Sequence, residues 1–444
     1  MPFEDLGSVQ DILKMSASEA SLLYQRFLNP YLGHIIRFMG MNQRFVEAKG
    51  AYLRDDKGQE YLDFLSGFGA VNLGHEPEEV LEALHLTEER PNILQSGLNP
   101  FAAKLGQYLA EVTPGALSRS FFCNSGAEAV EAAIKLARIA TRRKVLLYTE
   151  GAYHGKTFGA LSVSGRKKYR EPFEPLLPGT EAVPYNDAKA LEKRLAKKDV
   201  AGFIVEPIQG ENGVIVPDKG YLKQVERLTR QYGTLFLADE IQTGMGRTGK
   251  LFCVEHENVE PDVLILSKSL GGGVMPIGAI VTTDAIWKKA YGTLETGLLH
   301  TSTFGGNSRA CACGVAAIRT IIQKRLPENA AVMGERIAAS ISKLSGRFSV
   351  LRGVRGKGLM IGLTLARLKG KASLAEGALT LWVARQMLKR HRIITAFTLN
   401  NLDVLRIAPP LTVGEKEISH FLTALEDVLQ SAEKFQTFRL VKAD

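Results

Sequence analysis

The sequence predicts an α/β protein with a large domain built on a mostly parallel sheet and a second, smaller α+β domain. Helical and strand patterns alternate from about residue 100 to residue 300, which is typical of repeated β-α-β units. Within that region, short apolar runs of strand length end in charged residues. After about residue 330, long helical patterns and isolated short strands replace the alternation. We therefore predict a segment 1–60 that contributes to the small domain, a large domain at 61–329 and a small domain at 330–444.

The predicted elements follow in order along the chain. An amphipathic helix is predicted from near Ser18 toward Pro30, because Leu22, Leu23 and Phe27 recur at helical spacing. Alternation of apolar and polar residues over 45–64, with a turn at 55–58, predicts a hairpin. The remaining predicted elements are strands at 121–123, 144–148, 200–205, 235–238, 263–267, 358–365 and 404–407, and helices at 128–139 and 222–232.

The composition is that of a globular protein with a large core. The chain has 444 residues, of which 45% are hydrophobic and 23% are charged. No apolar run approaches the length of a membrane span, and residues 1–5 are acidic and lack the apolar stretch of a secretion signal. We therefore expect a cytoplasmic protein with no membrane partner.

The formal net charge of +9 raises the question of a nucleic-acid partner. The basic clusters are short, and none alternates with the aromatic residues that a single-strand binder uses. A solvated basic surface with weak attraction for anionic substrates explains the charge. Cys311 and Cys313 lack a second pair at zinc spacing, so we interpret the four cysteines as small buried residues in a reducing compartment. We expect no nucleic-acid partner and no metal site.

The strongest chemical signal is a lysine and an aspartate at the ends of two apolar runs. Lys268 follows the run 263–267, and Asp239 follows the run 235–238. In a parallel sheet, strand ends of this kind meet in the crevice where ligands bind. Each residue is alternatively a solvated loop charge, as most lysines are. If the two are buried together, pyridoxal 5'-phosphate is a cofactor that uses both, the amine for its aldehyde and the carboxylate for its ring nitrogen.

Two further segments have the residue types that such a site needs. Ser125, Gly126 and Ala127 open a helix after a short strand, where backbone N–H groups suit a phosphate. The alternative is a simple helix N-cap. Tyr153 and His154 lie between glycines, where the tyrosine either stacks on a flat ring or packs within its loop.

Charged residues follow or interrupt two more apolar runs. Glu206 comes directly after the run 200–205, at the predicted crevice. Glu211 lies in the following loop, where it reaches either a substrate amine or a basic partner. Arg406 is a cation inside the predicted strand 404–407, where a solvated face is not expected.

The glycines 244, 246 and 249 match the dinucleotide-binding pattern G-x-G-x-x-G. They do not follow a strand directly, and residues 250–253 do not open an apolar-periodic helix. We therefore do not assign the pattern to nucleotide binding, and a nicotinamide-dependent oxidoreductase is the rival function from another class.

Taken together, these segments resemble the class III pyridoxal-phosphate aminotransferases, which have fold type I. The resemblance covers nearly the whole chain, from 63–68 and 73–75 to 406–410. Each motif is weak alone, and six in order are specific. Within the family, 255–259, 271–278 and 399–401 are most similar to the enzymes that use putrescine. The ordered motifs are Asn124-Ser125-Gly126, His154-Gly155, Glu206-Pro207, Asp239-Glu240, Lys268 and Thr303-Phe304-Gly305-Gly306-Asn307.

The resemblance implies a role for each matching residue. Lys268 forms the Schiff base with the cofactor and moves a proton between the substrate and the cofactor, while Asp239 pairs with the ring nitrogen. The family is dimeric with shared active sites, and Thr303 is implied to reach the phosphate in the neighbouring subunit. The other implied cofactor residues are Ser125, Gly126 and Ala127 at the phosphate, Tyr153 on the ring, Gln242 at the ring hydroxyl, and His154 and Glu206 beside them. The implied substrate residues are Arg406, for the acceptor carboxylate, and Glu211, which gates it.

One position departs from the family pattern. Many members have an arginine after His-Gly that binds the donor carboxylate, and this chain has Lys156. Lysine keeps the charge and loses the bidentate fork. The departure weakens the case for ornithine, acetylornithine or 4-aminobutanoate as donor and favours a diamine. Phe68 is expected to contribute an apolar wall to the donor pocket, with core packing as the alternative.

We therefore expect a cytoplasmic, homodimeric aminotransferase that moves nitrogen from a diamine such as putrescine or cadaverine to 2-oxoglutarate. One rival within the class is an ω-amino-acid transaminase of the ornithine or acetylornithine type. Another aminates a long-chain aldehyde in a biosynthetic pathway. A scaffold that keeps the fold without activity is a further rival, and the intact Lys268 and Asp239 argue against it.

Overall fold

The computed structural model describes residues 8–93, 97–368 and 376–441. Residues 1–5, from which we expect no secretion signal, lie outside these ranges. The described residues contain a central seven-stranded sheet and two four-stranded sheets. Within the same ranges, no helix combines the length and the apolarity needed to cross a membrane.

The N-terminal part contains three helices and a small sheet. The helix predicted from near Ser18 is capped by Ser16, whose hydroxyl accepts the backbone N–H of Glu19. The predicted turn at 55–58 connects two strands as expected, and a second turn at Gly50 adds a strand that the sequence did not predict. The elements are α1 (Val9–Lys14), α2 (Ala17–Phe27), α3 (Pro30–Met39), β1 (Phe45–Lys49), β2 (Tyr52–Asp55) and β3 (Glu60–Asp63).

The central sheet is mostly parallel, as predicted. Its strands are β4 (Leu117–Cys123), β5 (Val145–Thr149), β6 (Thr180–Val183), β7 (Val200–Val205), β8 (Leu235–Asp239), β9 (Val263–Leu266) and β10 (Gly278–Thr283), in the spatial order β4-β10-β9-β8-β7-β5-β6. The pairings among β5, β6, β7, β8 and β9 are parallel, and β10 is antiparallel to both β9 and β4. Strands β7 and β9 are buried throughout, because helices cover both faces of a parallel sheet.

Two hydrophobic clusters hold helices against the two faces of this sheet. Val130 and Ile134 of one helix share a cluster with Ile204 and Ile265 of the sheet. Leu105, Val225 and Ile318 of other helices belong to a second cluster with the alternate strand residues. All four cysteines are buried, as interpreted from the sequence. The helices are α4 (Ser66–Gly69), α5 (Glu78–His85), α6 (Pro100–Val112), α7 (Gly126–Thr141), α8 (Phe158–Ser162), α9 (Lys167–Arg170), α10 (Ala188–Leu195), α11 (Tyr221–Tyr232), α12 (Asp284–Tyr291), α13 (Ser308–Gln323) and α14 (Leu326–Ser345).

The C-terminal part forms an antiparallel sheet of order β11-β12-β15-β14. The strands predicted at 358–365 and 404–407 are β12 and β15, whereas β11, their hairpin partner, was not predicted. Strand β13 pairs in parallel with β3 and ties this part to the N-terminal sheet. The predicted boundary at residue 330 falls within α14, and the division into domains stays a prediction. The elements are β11 (Leu351–Lys357), β12 (Met360–Leu365), α15 (Ala378–His391), β13 (Ile393–Ile394), β14 (Ala396–Phe397), β15 (Val404–Ile407) and α16 (Glu415–Val441).

Candidate active site

The carboxyl ends of β5, β7, β8 and β9 open into one cavity. Because neighbouring parallel strands point the same way, the residues that follow them meet at one edge of the sheet. The cavity has a volume of about 230 Å³. Its lining residues are Gly126, Ala127, Tyr153, His154, Gly155, Lys156, Glu206, Glu211, Asp239, Ile241, Gln242, Thr243, Ser267 and Lys268. Ten of the fourteen predicted site residues line this cavity.

Lys268 lies at the bottom of this cavity, two residues after β9. Its backbone has a φ of 50°, a left-handed conformation that is rare outside glycine and that collects at functional sites. The preceding Ser267 donates its hydroxyl to the carbonyl of Ile277 at 2.7 Å, which anchors the turn. Burial lowers the pKa of Lys268, against the attraction of Glu211 and Asp239. A lowered pKa increases the fraction of neutral amine, the form that attacks a carbonyl.

Asp239 is held in place by two hydrogen bonds. Its Oδ2 lies 2.6 Å from Nδ1 of His154, and its Oδ1 accepts the N–H of Ile241 at 3.1 Å. Both side chains are almost fully buried. The Nε2 of His154 is buried and has no hydrogen-bond partner among the described residues. In this arrangement Nδ1 of His154 donates to the carboxylate of Asp239 and keeps it in one orientation.

The start of α7 also lines this cavity. Ser125 caps the helix, because its hydroxyl accepts the N–H of Glu128 at 3.2 Å. The first N–H groups of a helix lack intrahelical partners, so those of Gly126 and Ala127 can bind an anion. A Cβ at Gly126 would lie 2.9 Å from Cδ1 of Ile241, and one at Gly155 would lie 2.8 Å from Cβ of Ala127. Both glycines are thus required by close packing around the helix start.

Glu206 connects two loops of the site. Its Oε1 accepts the N–H of Tyr153 at 2.9 Å, and its Oε2 accepts the N–H of Gly210 at 3.1 Å. Burial raises the pKa of Glu206 to about 7. In the next loop, a Cβ at Gly210 would lie 1.7 Å from Oε1 of Gln242, so a larger residue there would displace the Gln242 side chain. The Nε2 of Gln242 donates to the carbonyl of Phe68 at 3.0 Å.

Arg406 and Glu211 form a buried ion pair at the cavity. The Nη2 of Arg406 lies 2.6 Å from Oε1 of Glu211, and the two side chains are 2% and 9% exposed. None of the three guanidinium nitrogens has a well-directed hydrogen-bond partner among the described residues. The second oxygen of Glu211 accepts the N–H of Leu399 at 2.9 Å. Burial opposes ionisation of Glu211, and the guanidinium nevertheless holds its pKa below the usual range. The pair therefore offers an unsatisfied guanidinium to an incoming carboxylate.

The remaining predicted residues lie at the edges of the site. Phe68 is 43% exposed and its ring centroid lies 5.3 Å from Cζ of Arg406. Lys156 is an exposed rim residue, and its Nζ lies 5.0 Å from the ring centroid of Tyr169. Thr303 does not line this cavity but a separate one of about 390 Å³. One chain therefore brings together all the predicted residues except Thr303.

Comparison with known proteins identifies the family. Residues 39–429 match the family model of class III aminotransferases. The chain belongs to the class III aminotransferases. The aminotransferase PigE of Serratia sp. (strain ATCC 39006) is 36% identical, over 98% of this chain and 56% of its own length. The chain thus spans about half the length of this curated relative.

Solved structures have the same fold. An ornithine aminotransferase from Toxoplasma gondii is 30% identical, with a TM-score of 0.86 over 97% of this chain and 99% of its own. An (S)-enantioselective ω-transaminase from Thermomicrobium roseum is 30% identical, with a TM-score of 0.81 over 88% and 93% of the two chains. A second Toxoplasma structure has partial occupancy of pyridoxal phosphate at its active site. The predicted fold type I is confirmed, and this aminotransferase uses pyridoxal phosphate.

The cavity fits that cofactor on three independent features. The amine of Lys268 is buried and its pKa is lowered. The start of α7 lines the cavity with backbone N–H groups that have no intrahelical partner, and Gly126 and Gly155 pack there too closely to carry a side chain. His154 leaves Nε2 as a buried atom without a partner among the described residues, while Nδ1 orients Asp239. The amine suits the aldehyde of the cofactor, the free N–H groups suit its phosphate, and the oriented carboxylate suits its ring nitrogen.

Sequence reasoning missed several residues that shape the site. Ile241 and Thr243 line the cavity, and Leu399 holds Glu211 through its backbone. Residues 244–249, where the dinucleotide pattern was not assigned, form turns, and the next helical element is a short 3-10 helix at Cys253–Glu257. Arg247 within that segment is completely buried. An arginine in a glycine-rich turn was a signal available in the sequence, because such a side chain is rarely buried without a purpose.

Proposed function

We propose that this aminotransferase takes nitrogen from a primary amine at the end of a chain, a diamine such as putrescine or cadaverine, and gives it to 2-oxoglutarate. The observation that carries the proposal is the buried Arg406, whose nitrogens lack well-directed partners among the described residues although Glu211 lies 2.6 Å away. It supplies one anchor for a carboxylate inside the cavity. The rim offers the point charge of Lys156 where related enzymes have a forked arginine, so a donor without a carboxylate loses little there.

The residues act on the cofactor and substrate in distinct ways. When bound, pyridoxal phosphate supplies the aldehyde that takes up the donor nitrogen and a ring that withdraws electrons. The Nζ of Lys268 holds the cofactor and, once released, moves a proton at the carbon that bears the donor amine. Asp239 keeps the ring nitrogen protonated, with His154 fixing its carboxylate. The other proposed cofactor contacts are Ser125, Gly126 and Ala127 at the phosphate, Tyr153 on the ring face, Gln242 at the ring hydroxyl and Glu206 beside them.

Arg406 and Glu211 let one cavity accept substrates of opposite charge. While an amine is bound, Glu211 neutralises the guanidinium and limits its repulsion of the donor. A carboxylate of 2-oxoglutarate then competes with Glu211 for a guanidinium that binds carboxylates in bidentate fashion. Phe68 closes the same end of the site, since its ring lies beside Arg406.

The proposal includes a homodimer in which Thr303 of each chain reaches the phosphate in the other. Thr303 lies outside the cavity of its own chain, which is what a residue supplied to a partner requires. Large apolar side chains are exposed in the same region: Ile93 at 42%, Leu98 at 98%, Leu298 at 81% and Phe304 at 52%. A cluster of exposed apolar residues supports contact with a second copy.

A second candidate is an ω-amino-acid donor such as ornithine. Two observations favour it: Lys156 places a cation at the rim, and the Toxoplasma ornithine aminotransferase aligns over nearly the full length of both chains. A lysine at the rim repels the distal ammonium of a diamine and attracts a carboxylate. The two candidates therefore make opposite predictions about the charge at Lys156.

Steady-state kcat/KM for putrescine, cadaverine, ornithine, acetylornithine and 4-aminobutanoate, each with 2-oxoglutarate, separates the candidates. The diamine proposal expects both diamines to lead, and it expects Lys156→Met to leave them unchanged or faster. A tenfold advantage of any of the three amino acids, about 1.4 kcal/mol in transition-state binding, rejects it. Lys156→Arg is the matched control, because it restores the fork and is expected to raise kcat/KM only for donors with a carboxylate.

A further inference from the structure

Arg247 is a completely buried arginine that the proposed chemistry does not use. Among the described residues no carboxylate forms an ion pair with it, and burial lowers its pKa to about 9 against the attraction of Asp63. A buried guanidinium without a counter-ion is costly unless hydrogen bonds satisfy it. Its contacts therefore indicate what the arginine is for.

Three oxygens from separate parts of the chain accept hydrogen bonds from this guanidinium. Nη1 donates to the carbonyl of Pro409 at 2.6 Å and to the carbonyl of Leu359 at 3.0 Å. Nη2 donates to Oδ1 of Asn72 at 2.5 Å. Asn72 returns a bond from Nδ2 to the carbonyl of Met245 at 2.9 Å. The loop that follows β8 is thus joined to the turn before β12, to the exit of β15 and to the segment after α4.

Two of these partners belong to the elements that form the carboxylate end of the site. Pro409 lies three residues after Arg406, at the point where β15 leaves its sheet. Asn72 lies four residues after Phe68, whose ring contacts the Arg406 guanidinium. Ser66 strengthens the same junction, because its hydroxyl donates to the carbonyl of Ala408 at 2.6 Å. One guanidinium consequently spans both walls of the proposed carboxylate subsite.

The glycines around Arg247 allow the close backbone contacts of this junction. Gly246 has a φ of 89°, and a Cβ there would lie 2.9 Å from Cδ1 of Leu411. Gly358 has a φ of 53°, and a Cβ there would lie 2.7 Å from the carbonyl oxygen of Arg247. That oxygen accepts the N–H of Leu359 at 3.0 Å. Gly246, the middle glycine of the pattern that resembles a nucleotide motif, is thus explained by close packing beside Arg247.

We propose that Arg247 is the positioning residue that holds Arg406 in place for the carboxylate of the second substrate. This inference extends the proposed function and depends on the carboxylate-binding role proposed there for Arg406. Loosening the junction lets β15 and the segment with Phe68 move apart, so the carboxylate subsite loses its geometry. The amine end of the cavity rests on the central sheet and is affected less. Lysine cannot replace Arg247, because an ammonium on a flexible stem does not span three acceptors in a fixed plane.

The test compares Arg247→Lys and Arg247→Met with Arg143→Met in the holoenzyme. Arg143 is a matched control: its Nη1 also donates to three carbonyls, those of Val200, Tyr232 and Gly233, at the opposite end of the central strands. Two readouts are measured: the dissociation constant of glutarate by calorimetry, and the Michaelis constants for the amine donor and for the acceptor 2-oxoglutarate. Glutarate serves as an unreactive dicarboxylate.

We expect both Arg247 variants to weaken glutarate binding and to raise the Michaelis constant for the acceptor at least tenfold, with that for the donor changed less than threefold. Arg143→Met is expected to leave all three values within threefold. A folded Arg247→Lys with unchanged glutarate affinity overturns the inference, as does an equal rise in the two Michaelis constants. If neither Arg247 variant folds, Asn72→Ser, which removes one acceptor, must weaken glutarate binding at least threefold. Arg406→Met, measured in parallel, distinguishes failure of this inference from failure of the proposed function. Unchanged glutarate affinity in Arg406→Met rejects the carboxylate-binding role of Arg406, and with it the proposed function.

Discussion

Replacement of Asp239 by asparagine removes one charge from the site and almost no volume. Asp239 is 4% exposed, lies 2.6 Å from Nδ1 of His154 and accepts the N–H of Ile241. An amide has one acceptor, so it keeps one of these bonds, and loss of the other costs about 1–3 kcal/mol of stability. The catalytic loss is separate, because a neutral amide cannot keep the cofactor ring nitrogen protonated. Two opposite charges about 4 Å apart at an effective dielectric constant of about 20 attract each other with an energy of roughly 4 kcal/mol. This energy is an upper limit for the catalytic loss.

Removal of one preorganised electrostatic group costs about 3 kcal/mol in the transition state. We therefore expect kcat of Asp239→Asn to fall roughly 150-fold, at about 1.36 kcal/mol per factor of ten, with the cofactor still bound. The assay measures kcat in the steady state with saturating amine and 2-oxo acid, and the absorption spectrum reports cofactor content.

Asp262→Asn is the control for the structural part of the effect. Its Oδ2 accepts the N–H of Phe236 at 2.8 Å, and burial raises the pKa of this carboxyl. It lies before β9, at the opposite end of the sheet, so kcat is expected to stay within about threefold. A kcat of Asp239→Asn within tenfold of wild type, with full cofactor content, would refute the role of Asp239.

Three further predictions concern other residues. Lys268→Ala is expected to abolish turnover, and borohydride reduction of the native protein followed by peptide mapping must place the cofactor on Lys268; an adduct on another lysine contradicts the assignment. Mixing Lys268→Ala with Thr303→Ala subunits is expected to restore wild-type-like sites in mixed dimers, and no recovery argues against sharing. Burial raises the pKa of Glu240 to about 7 from 4.5. The folded protein therefore holds this proton more tightly than the unfolded chain, and the free energy of unfolding falls by roughly 3 kcal/mol as the pH rises from 4.5 to 7. Urea unfolding at pH 5 and pH 8 is expected to show a smaller difference in the free energy of unfolding for Glu240→Gln than for wild type. Equal differences in the two proteins would contradict this prediction.

The part of the site that was predictable from sequence is the part that the sheet topology creates. Glu206, Asp239 and Lys268 each follow an apolar run, and parallel pairing of β7, β8 and β9 suffices to bring them together. The start of α7 was predictable for the same reason, since capping residues and glycine mark a helix start after a strand. Local pattern and topology agree at these positions, so the prediction needed no knowledge of distant contacts.

The parts of the structure that residue spacing alone could not place depend on contacts between distant segments. Arg406 belongs to a different sheet, and its approach to the cavity is set by the turn at 408–410 and by Arg247. Strand β11 has mixed exposure and three basic residues, so no apolar alternation marked it. The position of Thr303 relative to a partner requires the second chain. Each of these depends on long-range packing, which residue spacing does not encode.

The charges of the cavity explain why Arg406 is paired at all. Lys268 and Arg406 face Asp239, Glu206 and Glu211, and the raised pKa of Glu206 lets it hold a proton near neutral pH. An unpaired Arg406 would repel a cationic donor, whereas an Arg406 permanently paired with Glu211 would exclude the carboxylate of the 2-oxo acid. An enzyme that alternates between an amine and a 2-oxo acid in one cavity therefore needs a guanidinium whose partner can leave it. The poorly directed contact between Glu211 and Arg406, short in distance yet without a well-formed hydrogen bond, meets that requirement.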